Sequence, residues 1–321
     1  MQIQEITIPE QKNIHDRVFP AAFQCTAESK EDFWAWVNNH ATWLRDTMCT
    51  HGALLLRGAP VSSPEDFARF ADEAKFPPMP YVGGAAPRSA VTSRVLTSNE
   101  SPPSEPIPFH HEMAQVPKPP AYIFFYCDLP PQEGGATAIA HSVHSYELFH
   151  AIDPAFAQKI EKTGVCYVRI MPDQDDVTSA IGRSWRSTFQ TNDKMEAEQK
   201  MKEAGMTWEW LSNGDLKTRT DALPAIRIEE RTQQKTFFNS MVAAYTGWID
   251  SRNDPKQSVL CGDGSSVDGS VLELTASRMK ADSVAIQWQK GDVLCIDNHL
   301  VLHAREPFSG ERRILATISW G

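Results

Sequence analysis

Short apolar runs bounded by turn residues recur along the chain and predict β-strands. Nearly continuous apolar runs, typical of buried strands, occur at 51–58 and 121–129, and three more lie between 283 and 321. In the middle of the chain, alternating apolar and polar residues flank an Asn-Gly pair at 213–214, which predicts a β-hairpin. The pattern is typical of antiparallel strands in a barrel or jelly roll, and not of repeated strand–helix–strand units.

Apolar residues at helical spacing predict several helices around these strands, in segments 30–48, 62–74, 145–164, 193–205 and one that ends near 280. We therefore predict a mainly β fold with peripheral helices, a jelly roll. Its core strands lie at about 51–142 and 283–321, and a large mixed insertion occupies about 143–280. Because no internal repeat or low-complexity linker divides the chain, we expect one domain over residues 1–321. An insertion between the two groups of core strands allows the first and last core strands to be neighbours in the folded sheet.

Composition and charge limit the class of partner. The net charge is −10 and no Lys/Arg-rich run offsets it, so nucleic acid is not expected as a partner. No window approaches about 18 uninterrupted apolar residues, and the N-terminus lacks the basic-then-apolar order of a secretory signal, so no membrane span or signal is expected. Six scattered cysteines without a Cys-x-x-Cys pair predict reduced thiols and a cytoplasmic location. The sequence does not indicate the oligomeric state.

The segment Pro-Phe-His-His-Glu-Met-Ala-Gln at 108–115 contains the first candidate metal ligands. Residues i and i+2 of a strand project from one face, so His110 and Glu112 would converge on one point. One imidazole and one carboxylate make up two-thirds of the 2-His-1-carboxylate triad that binds non-haem Fe(II). His111 would face the opposite way and pack. A chance His-x-Glu remains an alternative, because the chain has ten histidines.

The third ligand is predicted near the C-terminus, where His299 and His303 are both candidates by even spacing on one strand face. We prefer His303 because Arg313 follows it ten residues later, at the start of an apolar strand. A guanidinium held there would bind a carboxylate through its fork of N–H groups. The alternative is a surface turn with solvated charges. Thr137, behind Gly-Gly-Ala, is a candidate for a hydroxyl donor to the same carboxylate.

These motifs, together with the segments 80–88, 123–127, 239–248 and 291–298, resemble the taurine-dioxygenase-like Fe(II)/2-oxoglutarate oxygenases, and among them the clavaminate-synthase-like proteins. The resemblance covers most of the chain, from about Pro9 to Ile318. It implies a double-stranded β-helix and the cofactors Fe(II), 2-oxoglutarate and O2. It also implies that the iron ligands are His110, Glu112 and His303, and that Arg313 and Thr137 bind the distal carboxylate of 2-oxoglutarate.

The reaction implied by the resemblance is hydroxylation of an unactivated C–H bond, with release of succinate and CO2. The substrate would be a small polar or anionic metabolite, similar to an amino acid. Candidate substrate contacts in family-like segments and the insertion are Tyr81, Arg183, Asn239 and Tyr245, which alternatively stabilise the insertion. Thr317 stands where the taurine enzyme has a second, sulfonate-binding Arg, which disfavours a sulfonate substrate. Desaturation, oxidative ring closure and a non-catalytic binding protein on the same scaffold remain alternatives.

Overall fold

The computed structural model describes residues 1–98 and 100–321. Its strands are β1 (Gln2–Glu5), β2 (Lys12–Ile14), β3 (Arg17–Phe19), β4 (Ala21–Thr26), β5 (Ala53–Arg57), β6 (Leu96–Thr97), β7 (Ile107–His110), β8 (Tyr122–Leu129), β9 (Glu133–Gly134), β10 (Thr137–His141), β11 (Val165–Met171), β12 (Met206–Trp210), β13 (Leu216–Thr220), β14 (Arg227–Glu229), β15 (Gln234–Thr236), β16 (Val259–Cys261), β17 (Val284–Ile286), β18 (Val293–Asp297), β19 (Val301–Arg305), β20 (Phe308–Ser309) and β21 (Arg313–Ser319).

The helices lie between these strands and at the periphery. They are α1 (Lys30–Asn39), α2 (Ala41–His51), α3 (Pro64–Glu73), α4 (Ser142–Ile152), α5 (Pro154–Thr163), α6 (Trp185–Phe189), α7 (Lys194–Glu203), α8 (Met241–Gly247) and α9 (Gly269–Asp282), with a 3-10 turn at Pro255–Gln257. The predicted helix at 30–48 is divided into α1 and α2 at His40. Ser63 caps α3 as its sequence predicts, because its side chain accepts a hydrogen bond from the Asp66 N–H.

Two sheets face each other across an apolar core. The large sheet has the strand order β1-β4-β5-β18-β8-β21-β6, and the small sheet has the order β17-β10-β19-β7. Leu55, Phe125 and Ile314 from the large sheet and Ile139 and Val301 from the small sheet belong to one buried cluster. Because side chains alternate along each strand, this cluster uses every second residue, and the remaining residues face outward.

The outward faces of both sheets are covered by further layers. On the large sheet, α1, α2 and α3 pack through Phe33, Leu44 and Phe70 against Leu54 and Phe124. On the small sheet, the cover consists of α4, α5, α8 and α9, which contribute side chains such as Phe149, Ile160 and Leu272. These four helices belong to the segment between β10 and β17. That segment also forms a third sheet, in the order β12-β13-β11-β16.

C-terminal strands pair directly with strands from the first half of the chain. In the large sheet β18 lies between β5 and β8, and β21 pairs with β8; in the small sheet β19 lies between β10 and β7. The expected meeting of first and last core strands is therefore found in the structure, and it places His303 directly opposite His110. Within the described ranges, no helix is long and apolar enough to cross a membrane.

Candidate metal centre and its pocket

His110, Glu112 and His303 come together at one point, and one potential ligand atom from each lies within 4.8 Å of the others. The two histidines are cross-strand partners on β7 and β19, and their ring centroids are 4.3 Å apart. Glu112 Oε2 lies 3.6 Å from His303 Nε2. The structure thus brings together the three residues predicted as metal ligands, although His303 lies almost 200 positions after the other two along the chain.

Glu112 reaches this point from a turn and not from the strand. β7 ends at His110, and Met113 has a φ of 53°, which is the left-handed region. The predicted geometry of two side chains on one strand face is therefore wrong. Instead, the buried Asn298 side chain fixes the backbone of Glu112: Asn298 Oδ1 accepts from the Glu112 N–H at 2.8 Å, and its Nδ2 donates to the Glu112 carbonyl at 3.1 Å.

The protonation states suit metal binding. His110 Nδ1 lies 2.8 Å from the carbonyl oxygen of Pro108 and so carries the proton, which leaves the lone pair on Nε2. Burial, with His303 nearby, lowers the pKa of His110 to about 3, so the ring is neutral. Burial alone would raise the pKa of Glu112, but Arg88 and the imidazoles outweigh it and lower the pKa to about 2. Neutral imidazoles and an ionised carboxylate are the forms that bind a metal.

The neighbouring histidines serve the scaffold. His111 is fully buried and faces away from the cluster: its Nδ1 lies 2.6 Å from the Asn298 carbonyl oxygen and its Nε2 3.0 Å from Ser142 Oγ. His299, the alternative third ligand, lies outside the cluster, with its ring centroid 5.6 Å from that of Phe238. The geometry therefore distinguishes His303 from His299, which the sequence spacing alone did not.

Arg88 is a charged neighbour of the cluster that the sequence analysis missed. Its side chain is 4% exposed, and its Nη2 donates to Glu112 Oε2 at 2.9 Å. The guanidinium carbon lies 4.7 Å from the centroid of the Tyr81 ring. Arg88 belongs to the segment 80–88, which contributed to the family resemblance, but its spacing in the sequence does not indicate a contact with Glu112. The contact forms because the folded loop brings the two side chains together.

Thr137 and Arg312 form a second polar group in the same pocket. The Thr137 hydroxyl accepts from Trp288 Nε1 at 3.1 Å and lies 3.5 Å from Arg312 Nη2. Arg312 Nε donates to the Gly135 carbonyl at 3.0 Å. Burial, together with Arg305, lowers the pKa of Arg312 to about 10, so Arg312 is still a cation at neutral pH. A cation beside a fixed hydroxyl is suited to bind a carboxylate.

Arg313, the residue predicted for this position, lies on the other face of the strand. Its side chain is 51% exposed and its Nη1 lies 3.1 Å from Asp128 Oδ2. The cause is the alternation of side chains, since Ile314 faces the core between the sheets and Arg313 faces away from it. Thr317 also faces away, with its hydroxyl 3.4 Å from Arg94 Nε. Ala316, four residues after Arg312, is on the inward face and likewise lacks a charge.

Of the four candidate substrate contacts, one lines the pocket and three have structural contacts elsewhere. Tyr81 lines the pocket. Asn239 is used by the backbone of the insertion, because its side chain donates to the Ala225 carbonyl at 3.1 Å, and Tyr245 packs against the core cluster of the insertion. Arg183 donates to the carbonyl oxygens of Gly84, Tyr81 and Ser187 at 3.0, 3.3 and 2.7 Å. The structure therefore places these three outside the pocket.

We expect Arg183→Ala to destabilise the protein and not to alter substrate affinity selectively. Each of the three carbonyl oxygens loses a charged donor, and a buried unsatisfied group costs about 1–3 kcal/mol, so the free energy of unfolding should fall by roughly 3 kcal/mol. Thermal unfolding followed by circular dichroism measures this. At a temperature where the variant is folded, 2-oxoglutarate turnover and substrate oxidation should decrease together. A rise in the substrate KM alone, with unchanged stability, would contradict the structural role.

The pocket that contains both polar groups is open to solvent on one side and encloses about 1010 Å³ when this open mouth is included. Ile107, Phe125 and Ile314 supply apolar wall from the two sheets, and Ile181 and Trp248 supply it from the segment 143–280. Polar and charged side chains, including the metal cluster and three arginines, form much of the remaining lining.

Comparison with known proteins identifies relatives over nearly the whole chain. The model of the taurine catabolism dioxygenase TauD, TfdA family matches residues 17–318. A clavaminate synthase-like protein of Arabidopsis thaliana is 44% identical over 321 residues, covering 98% of this chain and 97% of the relative. PvcB of Pseudomonas aeruginosa has a similar structure, with a TM-score of 0.56 at 15% identity, over 99% of this chain and 91% of PvcB. A taurine dioxygenase from Burkholderia xenovorans has a TM-score of 0.54 at 14% identity, over 99% and 89% of the chains.

The chain belongs to the TauD/TfdA family of dioxygenases. It is a non-haem Fe(II)- and 2-oxoglutarate-dependent dioxygenase, whose cofactors are Fe(II), 2-oxoglutarate and O2. The expected resemblance to the taurine-dioxygenase-like and clavaminate-synthase-like proteins is confirmed by these matches.

Proposed function

We propose that this dioxygenase hydroxylates an unactivated C–H bond of a small polar or anionic metabolite, similar to an amino acid, with release of succinate and CO2. The observation that carries the proposal is the cluster of His110, Glu112 and His303 in a pocket that also contains a half-buried cation beside a hydroxyl. Two imidazoles and one carboxylate match the triad typical of non-haem Fe(II) oxygenases, which leaves coordination positions open. We propose these three residues as the ligands of Fe(II).

The distal carboxylate of 2-oxoglutarate is bound, in this proposal, by Arg312 and Thr137. The support is geometric: both side chains line the pocket, and Trp288 holds the Thr137 hydroxyl in place. Arg312 takes the role first expected for Arg313. Since 2-oxoglutarate has a carboxylate at each end, one end can reach the metal while the other reaches this pair.

The protein's own contribution is to orient the reactants and to exclude water. Bound Fe(II) supplies the chemistry that couples O2 and the decarboxylation of 2-oxoglutarate to substrate oxidation. The apolar side chains of Phe125, Ile314 and Trp248 limit the water that can compete for the site. Asn298 and Pro108 hold Glu112 and His110 in their ligating orientations before the metal binds, so that less reorganisation is needed.

We further propose that the two facing sheets form a double-stranded β-helix within one domain of residues 1–321, with the segment 143–280 as an insertion over the mouth. The shared core between the sheets supports this arrangement. A cytoplasmic location is proposed because all six cysteines are free thiols.

The proposed function predicts a weak visible charge-transfer band when Fe(II) and then 2-oxoglutarate are added anaerobically to the apoprotein. Chelation of the metal by 2-oxoglutarate produces such a band, and the band should decay when O2 is admitted, with succinate as product. Absorption spectroscopy and succinate analysis measure both steps. A protein that binds Fe(II) without developing the band would contradict the assignment of 2-oxoglutarate to this pocket.

A further inference from the structure

Arg88 is a buried cation of the pocket whose hydrogen-bonding capacity is only partly used by the described residues. Its Nη2 donates to Glu112, whereas its buried Nε and Nη1 have no hydrogen-bond partner among those residues. A guanidinium carries five N–H donors in a fixed, planar arrangement. Burying such donors without acceptors is unfavourable, so they indicate that something else accepts from them.

Arg183 provides an internal comparison. The guanidinium carbons of Arg88 and Arg183 both lie 4.7 Å from the centroid of the Tyr81 ring. Arg183 donates hydrogen bonds to three backbone carbonyl oxygens and lies outside the pocket. Arg88, in contrast, lines the pocket. The same aromatic ring thus supports one arginine that stabilises the loop and one whose donors are left for a ligand.

Arg88 contacts the metal cluster at Glu112, whereas the proposed 2-oxoglutarate anchor is a separate pair, Arg312 and Thr137. In the small sheet, β19 with His303 lies between β10, which carries Thr137, and β7, beyond which lies Glu112. Arg88 donates to Glu112, whereas the Thr137 hydroxyl contacts Trp288 and Arg312. Because Arg312 and Thr137 bind the distal carboxylate of 2-oxoglutarate in the proposed function, that carboxylate does not occupy the N–H groups of Arg88, which remain for a second molecule.

The charges in the pocket lead to the same conclusion. Fe(II) and the dianion 2-oxoglutarate have opposite and equal charges. Three arginines and two glutamates line the pocket: Arg88, Arg305, Arg312, Glu105 and Glu112. One positive charge is therefore left over, in a site where burial strengthens electrostatic attraction. The loaded pocket is therefore complementary to one negative charge on the substrate.

We propose that Arg88 binds a carboxylate of the primary substrate and so makes a carboxylate part of the substrate class of this enzyme. This inference rests on the proposed function and deepens it. Arg88 donates to the carboxylate oxygens from Nε and Nη1, while Nη2 keeps its hydrogen bond to Glu112. The apolar lining from the sheets and the insertion is left for the remainder of the substrate, which is brought beside the metal.

The experiment compares carboxylates with their uncharged isosteres. The protein is loaded anaerobically with Fe(II) and 2-oxoglutarate, and the charge-transfer band is recorded first. Isothermal titration calorimetry then measures the Kd of straight-chain carboxylates from propanoate to hexanoate and of the proteinogenic L-amino acids, each beside its primary amide. The wild-type protein should prefer the best-bound carboxylate over its amide by at least about tenfold, and Arg88→Gln should lose at least about tenfold of that preference.

The ratio of the amide Kd to the carboxylate Kd separates a role of Arg88 in binding from a general disturbance of the structure. Such a disturbance would weaken the binding of carboxylate and amide equally. Arg183→Lys, which changes the other arginine that contacts the Tyr81 ring, should keep the preference for the carboxylate over its amide. If Arg88→Gln does not fold, Arg88→Lys replaces it, and a fall of at least about threefold is expected because lysine keeps the charge but not the fork. An unchanged ratio in the Arg88 variant, or an equal loss in Arg183→Lys, overturns the inference.

The outcome also distinguishes this inference from the proposed function. If the band forms but the wild-type protein binds none of the carboxylates, or binds them no better than the amides, only the assignment of Arg88 fails. If the band does not form, the proposed function fails and the inference falls with it.

Discussion

His303→Ala should abolish both the charge-transfer band and succinate formation, while the protein remains folded. His303 is one of the three proposed ligands, and the other two side chains would not complete the facial set without it. Loss of a partner that merely orients a metal ligand typically costs about 10–100-fold in metal affinity or activity, so loss of a ligand itself should cost more. Anaerobic Fe(II) titration, absorption spectroscopy and succinate assays measure the three effects, and circular dichroism checks the fold.

His299→Ala is the matched control, since it removes an imidazole from the same Asn-His-Leu-Val-Leu-His segment, four residues earlier. The His299 side chain lies against Phe238 and outside the ligand cluster, so its variant should keep the band and most of the succinate formation. Equal loss of the band and of succinate formation in both variants would mean that each substitution disturbs the segment as a whole. It would contradict a specific role of His303 as a ligand.

The candidate metal cluster could be predicted from the sequence because its positions follow from short-range chemistry and from strand pairing. A His-x-Glu pair and a distant histidine are visible in the chain, and the interruption between 143 and 280 suggested that late strands return to early ones. The details could not be predicted. Glu112 lies in a turn held by Asn298, 186 residues away, and no local pattern indicates such a hydrogen bond.

The side chains around the ligands were harder to predict, because their roles depend on which partner the fold brings to them. Arg88 and Arg183 are both arginines in polar, irregular segments, yet one contacts Glu112 and the other is used by backbone carbonyls. Arg183 was predicted from the sequence as a substrate contact, and Arg88 was not. Burial and the supply of acceptors decide between a ligand-binding and a structural arginine, and neither property is visible in residue type or spacing.

The choice between Arg312 and Arg313 depends on a single residue of strand register. A shift by one position moves every side chain of a strand to the opposite face, so an Arg-Arg pair at a strand start leaves the anchor undetermined until the pairing is known. In the structure, Arg312 lies beside the Thr137 hydroxyl, and Arg313 pairs with Asp128 on the other face. The family resemblance led to the second arginine of the pair, whereas the geometry supports the first.

Arg312→Ala should therefore raise the KM for 2-oxoglutarate by about tenfold to a hundredfold, and Arg313→Ala should leave it within about twofold. A hydrogen bond to a charged group contributes about 1.5–3 kcal/mol, and at 1.4 kcal/mol per factor of ten this gives the expected range. Succinate formation at varied 2-oxoglutarate concentration measures the KM of both variants. The two substitutions remove the same type of side chain from adjacent positions. Comparing their KM values therefore separates the role of Arg312 from any effect that the loss of an arginine has in this segment. A larger effect from Arg313→Ala would show that the strand pairs in the other register and that the first expectation was correct.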